Sequence, residues 1–135
     1  MFHNLTYMEL ALDIEPCLGL LKWSWVMKML QKSPKLQTLI IHEVGIVDTF
    51  DDEEYEDPKI VPGCLLYHLT TCSLKNYSRI NWEFPFAKYI LQNSRVLSTM
   101  TIQIAKSVES DTKFQMCKEL TLCPINSATC ELLFI

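Results

Sequence analysis

Cys64, His68 and Cys72 are spaced four residues apart, and thiolate and imidazole are the standard zinc ligands. On a continuous helix the three would share a face. However, Leu69, Cys72 and Leu74 read as a strand whose onset breaks that face, and no fourth ligand follows at a zinc-like spacing. The set therefore reads as buried structural thiols with a capping or surface His, and no bound metal is expected. A Ser or Cys nucleophile needs a positioned base, yet His3, His42 and His68 belong to no recognisable nucleophile motif. The carboxylates offer no better prospect. Asp48, Asp51, Asp52, Glu53, Glu54, Glu56 and Asp57 crowd one flexible-looking strip, where an acid–base pair cannot be held in register. Glycines occur only at 19, 45 and 63, which rules out a G-x-G-x-x-G or P-loop phosphate cradle. Trp23 sits in a helical stripe and reads as core rather than as part of an aromatic cage, while Trp25 and Trp82 are assigned to neither. The expectation is a chain that is not an enzyme, with no catalytic residues, no metal ligands and no cofactor.

Composition narrows the partner class. With 135 residues, 49% of them hydrophobic, the chain can bury one core and reads as one contiguous unit. Its apolar runs fall far short of the roughly 18 to 20 residues of a membrane span. The first ten residues lack the basic, apolar and small-residue succession of a secretory signal. An intracellular location, in cytoplasm or nucleus, is expected, and in that reducing setting the six cysteines read as thiols. The net charge is −4, and the acidic strip alone holds seven of the sixteen acids. No Lys/Arg cluster offers a footprint for a phosphate backbone, so neither nucleic acid nor membrane is an expected partner.

What would position any functional side chains is a repeat. Ser33 to Ile41 aligns with Ser94 to Ile102, sharing Ser, Leu, Thr and Ile in register. The same L-x-x-L-x-L outline is seen at Leu5, Met8 and Leu10, at Leu69, Cys72 and Leu74, and in degraded form at Ser127, Cys130 and Leu132. The last positions of the five copies, 10, 41, 74, 102 and 132, are separated by 31, 33, 28 and 30 residues, at and somewhat beyond the upper end of the leucine-rich-repeat period. The last two apolar positions of each copy are two apart, which in a strand puts both on one side. Between copies, Trp23, Val26, Met27 and Leu30, and again Phe86, Tyr89, Ile90 and Asn93, fall at helical intervals. A third helix is expected from an N-capping Asp111 to about Leu122, stopped by Pro124, although Cys117 to Leu122 also fits the strand outline. Strands alternating with helices imply parallel strands joined by crossovers. The predicted fold class is α/β, a leucine-rich-repeat-like curved solenoid with a parallel sheet and helices on the convex side. Residues 45–57 interrupt it as an acidic loop, expected to be exposed, mobile and solvated.

A family resemblance enters at Val61-Pro62-Gly63-Cys64-Leu65, followed by Leu74-Lys75 and Tyr77, Glu83, and Phe86-Ala87-Lys88-Tyr89-Ile90-Leu91-Gln92-Asn93. Leu97, Met100 and Ile102 complete the outline, and Gln115 to Leu120 and Ser127 to Cys130 resemble its tail. This order is similar to that of the plant FBD domain, over about Pro58 to the C-terminus, while Phe2 to Val44 resembles the leucine-rich repeats that precede it. The corresponding division is residues 1–44 as terminal repeats, 45–57 as the acidic loop and 58–135 as the FBD domain. Two positions depart from the family pattern: Arg79 stands where a Gly is usual, and Pro85 stands at the start of the helix, where its missing N–H is tolerated. The resemblance implies a non-catalytic protein-interaction module, similar to the substrate-recognition part of an F-box component of an SCF ubiquitin ligase. The alternative is a structural C-terminal cap of a repeat stack with no ligand of its own. An F-box, which in this family binds the Skp-type adaptor, is not seen in this sequence, so adaptor binding is not expected. Met1 falling in a repeat strand favours a fragment or a truncated product over a stand-alone relative.

If the fourth and sixth positions of each copy point inward, the third and fifth point outward: Tyr7 and Glu9, Thr38 and Ile40, Thr71 and Ser73, Thr99 and Thr101, Thr129 and Glu131. Helices need more width than strands about 4.8 Å apart, so the sheet is expected to line a concave surface. Its hydroxyl-rich, weakly charged character suits a protein or a small polar ligand better than a phosphate backbone. A merely solvated face of β-favouring threonines is the competing reading.

Overall fold

A computed structural model of the chain describes residues 2–12, 19–43, 59–78 and 83–135. The acidic strip expected as a mobile loop lies outside these residues, as do Cys17, Arg79 and Trp82.

Alternation of apolar and polar residues makes five strands: β1 (Tyr7–Leu12), β2 (Thr38–Glu43), β3 (Thr71–Tyr77), β4 (Thr99–Ile104) and β5 (Glu131–Phe134). They form one five-stranded sheet in the order β1-β2-β3-β4-β5, with every neighbouring pair parallel. Parallel neighbours require crossovers. These carry α1 (Gly19–Gln31), α2 (Gly63–Tyr67), α3 (Glu83–Asn93) and α4 (Ser110–Thr121). Right-handed crossovers between strands taken in sequence order place every helix on one face of the sheet. Burial follows that arrangement. Met8, Leu39 and Ile41, Cys72 and Leu74, and Met100 and Ile102 are buried on the helix side, against Trp23, Val26, Leu30, Leu65, Phe86, Ile90 and Leu120.

Successive units interlock through the backbone just before each strand. The Thr6 carbonyl accepts from the N–H groups of Gln37 and Thr38, that of Gln37 from Thr70 and Thr71, and that of Thr70 from Ser98 and Thr99. These shared acceptors fix the lateral register and satisfy the backbone donors where the chain turns into the sheet. The repeated serine acts at the same place. Ser33, Ser94 and Ser127 are all buried at the end of the crossover, and Ser127 Oγ donates to the Leu97 carbonyl at 2.6 Å.

The helices differ from expectation in three respects. Gly63 to Tyr67 forms a helix of five residues, and because α2 is so short, Trp23 of α1 meets α3 directly. Its ring lies edge-on to Phe86 at 6.3 Å and to Tyr89 at 5.9 Å. The helix α4 starts one residue before Asp111, with Glu109 at the cap and no side-chain capping bond, so Asp111 is a first-turn acid facing the helix dipole rather than the cap. Cys117 to Thr121 is helical, which removes the strand alternative for that stretch. Pro85 sits in the first turn of α3, where a missing N–H costs nothing, and Asn93, the polar last position of the stripe, donates its Nδ2 to the Tyr89 carbonyl at 2.9 Å.

Candidate functional site

Because the helices take one face, the other face of the sheet is open among the described residues. Its side chains alternate with the buried ones, so their rows follow from strand register. Tyr7, Thr38, Thr71 and Thr99 are direct lateral partners, and so are Glu9, Ile40, Ser73 and Thr101. Eight of the ten residues expected on the outward face are therefore arranged as two continuous rows. The remaining two are corrected. The strand β5 begins at Glu131, whose partner is Thr99, so Glu131 ends the first row instead of the second, and Thr129 lies in the turn before the strand. Leu133, opposite Thr101 and 45% exposed, ends the second row. Cys130, the fourth position of the fifth copy by the outline, lies two residues before Leu132, which pairs with Met100. A slip of two keeps the alternation intact, so the face was right and the register wrong. The inward pair is Leu132 and Phe134, paired with Met100 and Ile102, and that apolar match was the available signal.

A third row, Ala11, His42 and Lys75, extends the face beyond the repeat outline. It carries the face's electrostatics. His42 Nε2 donates to Glu9 Oε1 at 2.7 Å, and the Tyr7 hydroxyl donates to Glu9 Oε2 at 3.4 Å. The His42 hydrogen bond, opposed by desolvation and helped by the charges of His42 and Lys75, holds the Glu9 carboxyl below its ordinary range. Tyr7, itself 52% exposed, is thereby oriented at one end of the rows, with Leu133 at the other and hydroxyls between them. Such a face presents hydrogen-bonding groups between two apolar ends.

The cysteine–histidine set has a different disposition. Cys64 is buried in α2, where its Sγ donates to the Leu30 carbonyl at 3.6 Å, and burial pushes its pKa up to about 11. Cys72 points into the core from β3, and burial, with a smaller contribution from Cys130, raises its pKa to about 12. His68 follows α2, its backbone N–H bonded to the Cys64 carbonyl at 2.9 Å. Among the described residues no three His, Cys, Asp or Glu side chains gather as a metal site, and the five described cysteines are free thiols. Among those residues, too, no helix is long and apolar enough to cross a membrane.

The FBD family's sequence model matches residues 56–102. Relatives in Arabidopsis thaliana include a putative FBD-associated F-box protein, 36% identical over 138 residues and covering 98% of this chain and 31% of the relative. A putative F-box/FBD/LRR-repeat protein is 36% identical over 135 residues, covering 98% of this chain and 30% of the relative. A further F-box/FBD/LRR-repeat protein is 35% identical over 136 residues, covering 99% and 30%. The chain thus spans about a third of the length of the curated relatives it matches. No solved structure matches it.

Proposed function

The chain belongs to the plant FBD family, and on that premise we propose that its open sheet face is a non-catalytic protein-docking surface serving substrate recognition in an F-box-type ubiquitin ligase. One observation carries this reading: four neighbouring strands hold their outward rows in unbroken lateral register while the helices leave that face uncovered. In this reading the sheet curls with the rows inside, as helices wider than strands require, and residues 1–44, 45–57 and 58–135 act as terminal repeats, acidic loop and FBD domain. The partner is a protein met in the cytoplasm or nucleus. The names of the relatives support an F-box context. The hydroxyl rows, with Tyr7 and Ile40 as anchors and His42 engaged by Glu9, support docking in preference to chemistry.

The test is partner capture by the Tyr7→Ala/Ile40→Ala double variant. Both side chains lie outside the core, so the variant should keep the wild-type circular dichroism spectrum while losing capture. Undiminished capture would return the open face to solvent and leave the chain a structural end unit.

A further inference from the structure

The open face ends in a cleft at the C-terminal rim of the sheet. Leu74 pairs with Ile102 and Tyr77 with Ile104, so Lys75 and Asn76 together face Gln103 alone, a β-bulge. Asn76 absorbs the extra residue with φ of 62°, a left-handed conformation that Asn tolerates better than most residues. Just beyond β4, the Ala105 N–H reaches back to the Tyr77 carbonyl at 2.8 Å, and the chain turns through Lys106 and Ser107 toward α4. The bulge and the turn enclose an open cavity of about 620 Å³, lined by Asn76, Gln103, Lys106, Ser107, Lys113 and Ile135 among others. That volume lies within the usual range of ligand sites.

The charged side chains of the lining have one sign among the described residues. Two ammonium groups, a hydroxyl and two carboxamides meet an aliphatic wall, and among the described residues no Asp or Glu side chain lines it. In a chain of net charge −4 this is a local reversal, and Lys75 on the adjoining strand adds to it. The cleft is continuous with the open face. Gln103 follows Thr99 and Thr101 on the same side of β4, and Ile135 follows Leu133 along β5.

We propose that this cleft receives a Glu or Asp side chain of the extended polypeptide that lies along the open face. The proposal rests on the docking reading above and gives its partner a chemistry: an acidic residue at the end of the segment nearest the strand C-termini. Lys106 and Lys113 supply mobile point charges, Ser107 and the two carboxamides supply donors, and Ile135 supports the aliphatic part of the acidic side chain.

Nuclear magnetic resonance titration of the ¹⁵N-labelled full chain with a hexaglutamate peptide tests this. Saturable shifts are expected at Asn76, Gln103 and Ser107. Affinity should be about tenfold weaker in Lys106→Gln/Lys113→Gln and unchanged in Lys118→Gln, whose side chain lies on α4 outside this cleft. The same spectra report whether each variant is folded. Absence of saturable shifts in the cleft, wild-type affinity in the double variant, or an equal loss in Lys118→Gln would overturn the proposal. The two readings fail separately. If Tyr7→Ala/Ile40→Ala loses its partner while hexaglutamate binding ignores the lysines, docking stands and the acidic cleft falls. If the lysines govern hexaglutamate binding while that variant captures normally, the cleft stands and docking falls.

Discussion

At the scale of single residues, burial separates groups of the same type. Ser127 Oγ is bonded to the Leu97 carbonyl, whereas Ser33 Oγ, equally enclosed, has no protein partner among the described residues. Ser127→Ala should therefore cost about 1 to 2 kcal/mol, and Ser33→Ala should be close to neutral, because it removes a hydroxyl that gains no bond on folding. Urea unfolding of the two variants measures the difference. The thiols show a similar contrast with pH. Cys72 and Cys64 have folded-state pKa values raised by burial to about 12 and about 11, from an ordinary value of 9.0. Protonation is favoured in the folded state, so their contribution to stability is fully present below pH 9.0 and is lost as pH rises through that window. The urea midpoint should fall above pH 9.0, with a smaller fall in Cys72→Ala. A pH-independent midpoint would show that these thiols are not desolvated.

At the scale of elements, the repeat outline located all five strands, because a two-residue apolar alternation survives even where individual residues are degraded. It placed α1 and α3 as well, since Trp23 to Leu30 and Phe86 to Asn93 carry the helical interval. It did not resolve what depends on a single residue's count. The fifth copy is displaced by two because Ser127, Cys130 and Leu132 also satisfy the intervals of the outline, and a shift of two leaves no mark on alternation. The helix α2 is too short for a period to show. The β3 bulge, which shapes the rim cleft, depends on a backbone conformation at Asn76 that no spacing encodes. The alternation in β5 has a direct consequence. Leu132→Ser should destabilise the chain by about 1 to 3 kcal/mol as an inward position, while Leu133→Ser should change stability by less than about 0.5 kcal/mol. Equal effects on the urea midpoint would contradict this inward–outward alternation.

At the scale of the whole molecule, the residues of the family match and those before and after it form one sheet. The strand β2 pairs with β3 from Thr38–Thr71 to His42–Lys75, joining residues before the family match to residues within it. Residues 59–135 alone would leave β3 as a bare edge and remove Leu30, Leu36 and Leu39 from the core. That fragment should lose cooperative thermal unfolding, followed by circular dichroism, where the full chain retains it. The same continuity makes the open face a property of the whole stack, since Tyr7 and Leu133 lie at opposite ends of it. The most direct test of the central claim is site-specific photo-crosslinking in plant extract. The photoreactive residue is placed either at Thr71, central in the first outward row, or at Gln115 on α4. A docking surface on the open face predicts a discrete partner adduct from Thr71 and none from Gln115, whereas an adduct from Gln115 with none from Thr71 would contradict it.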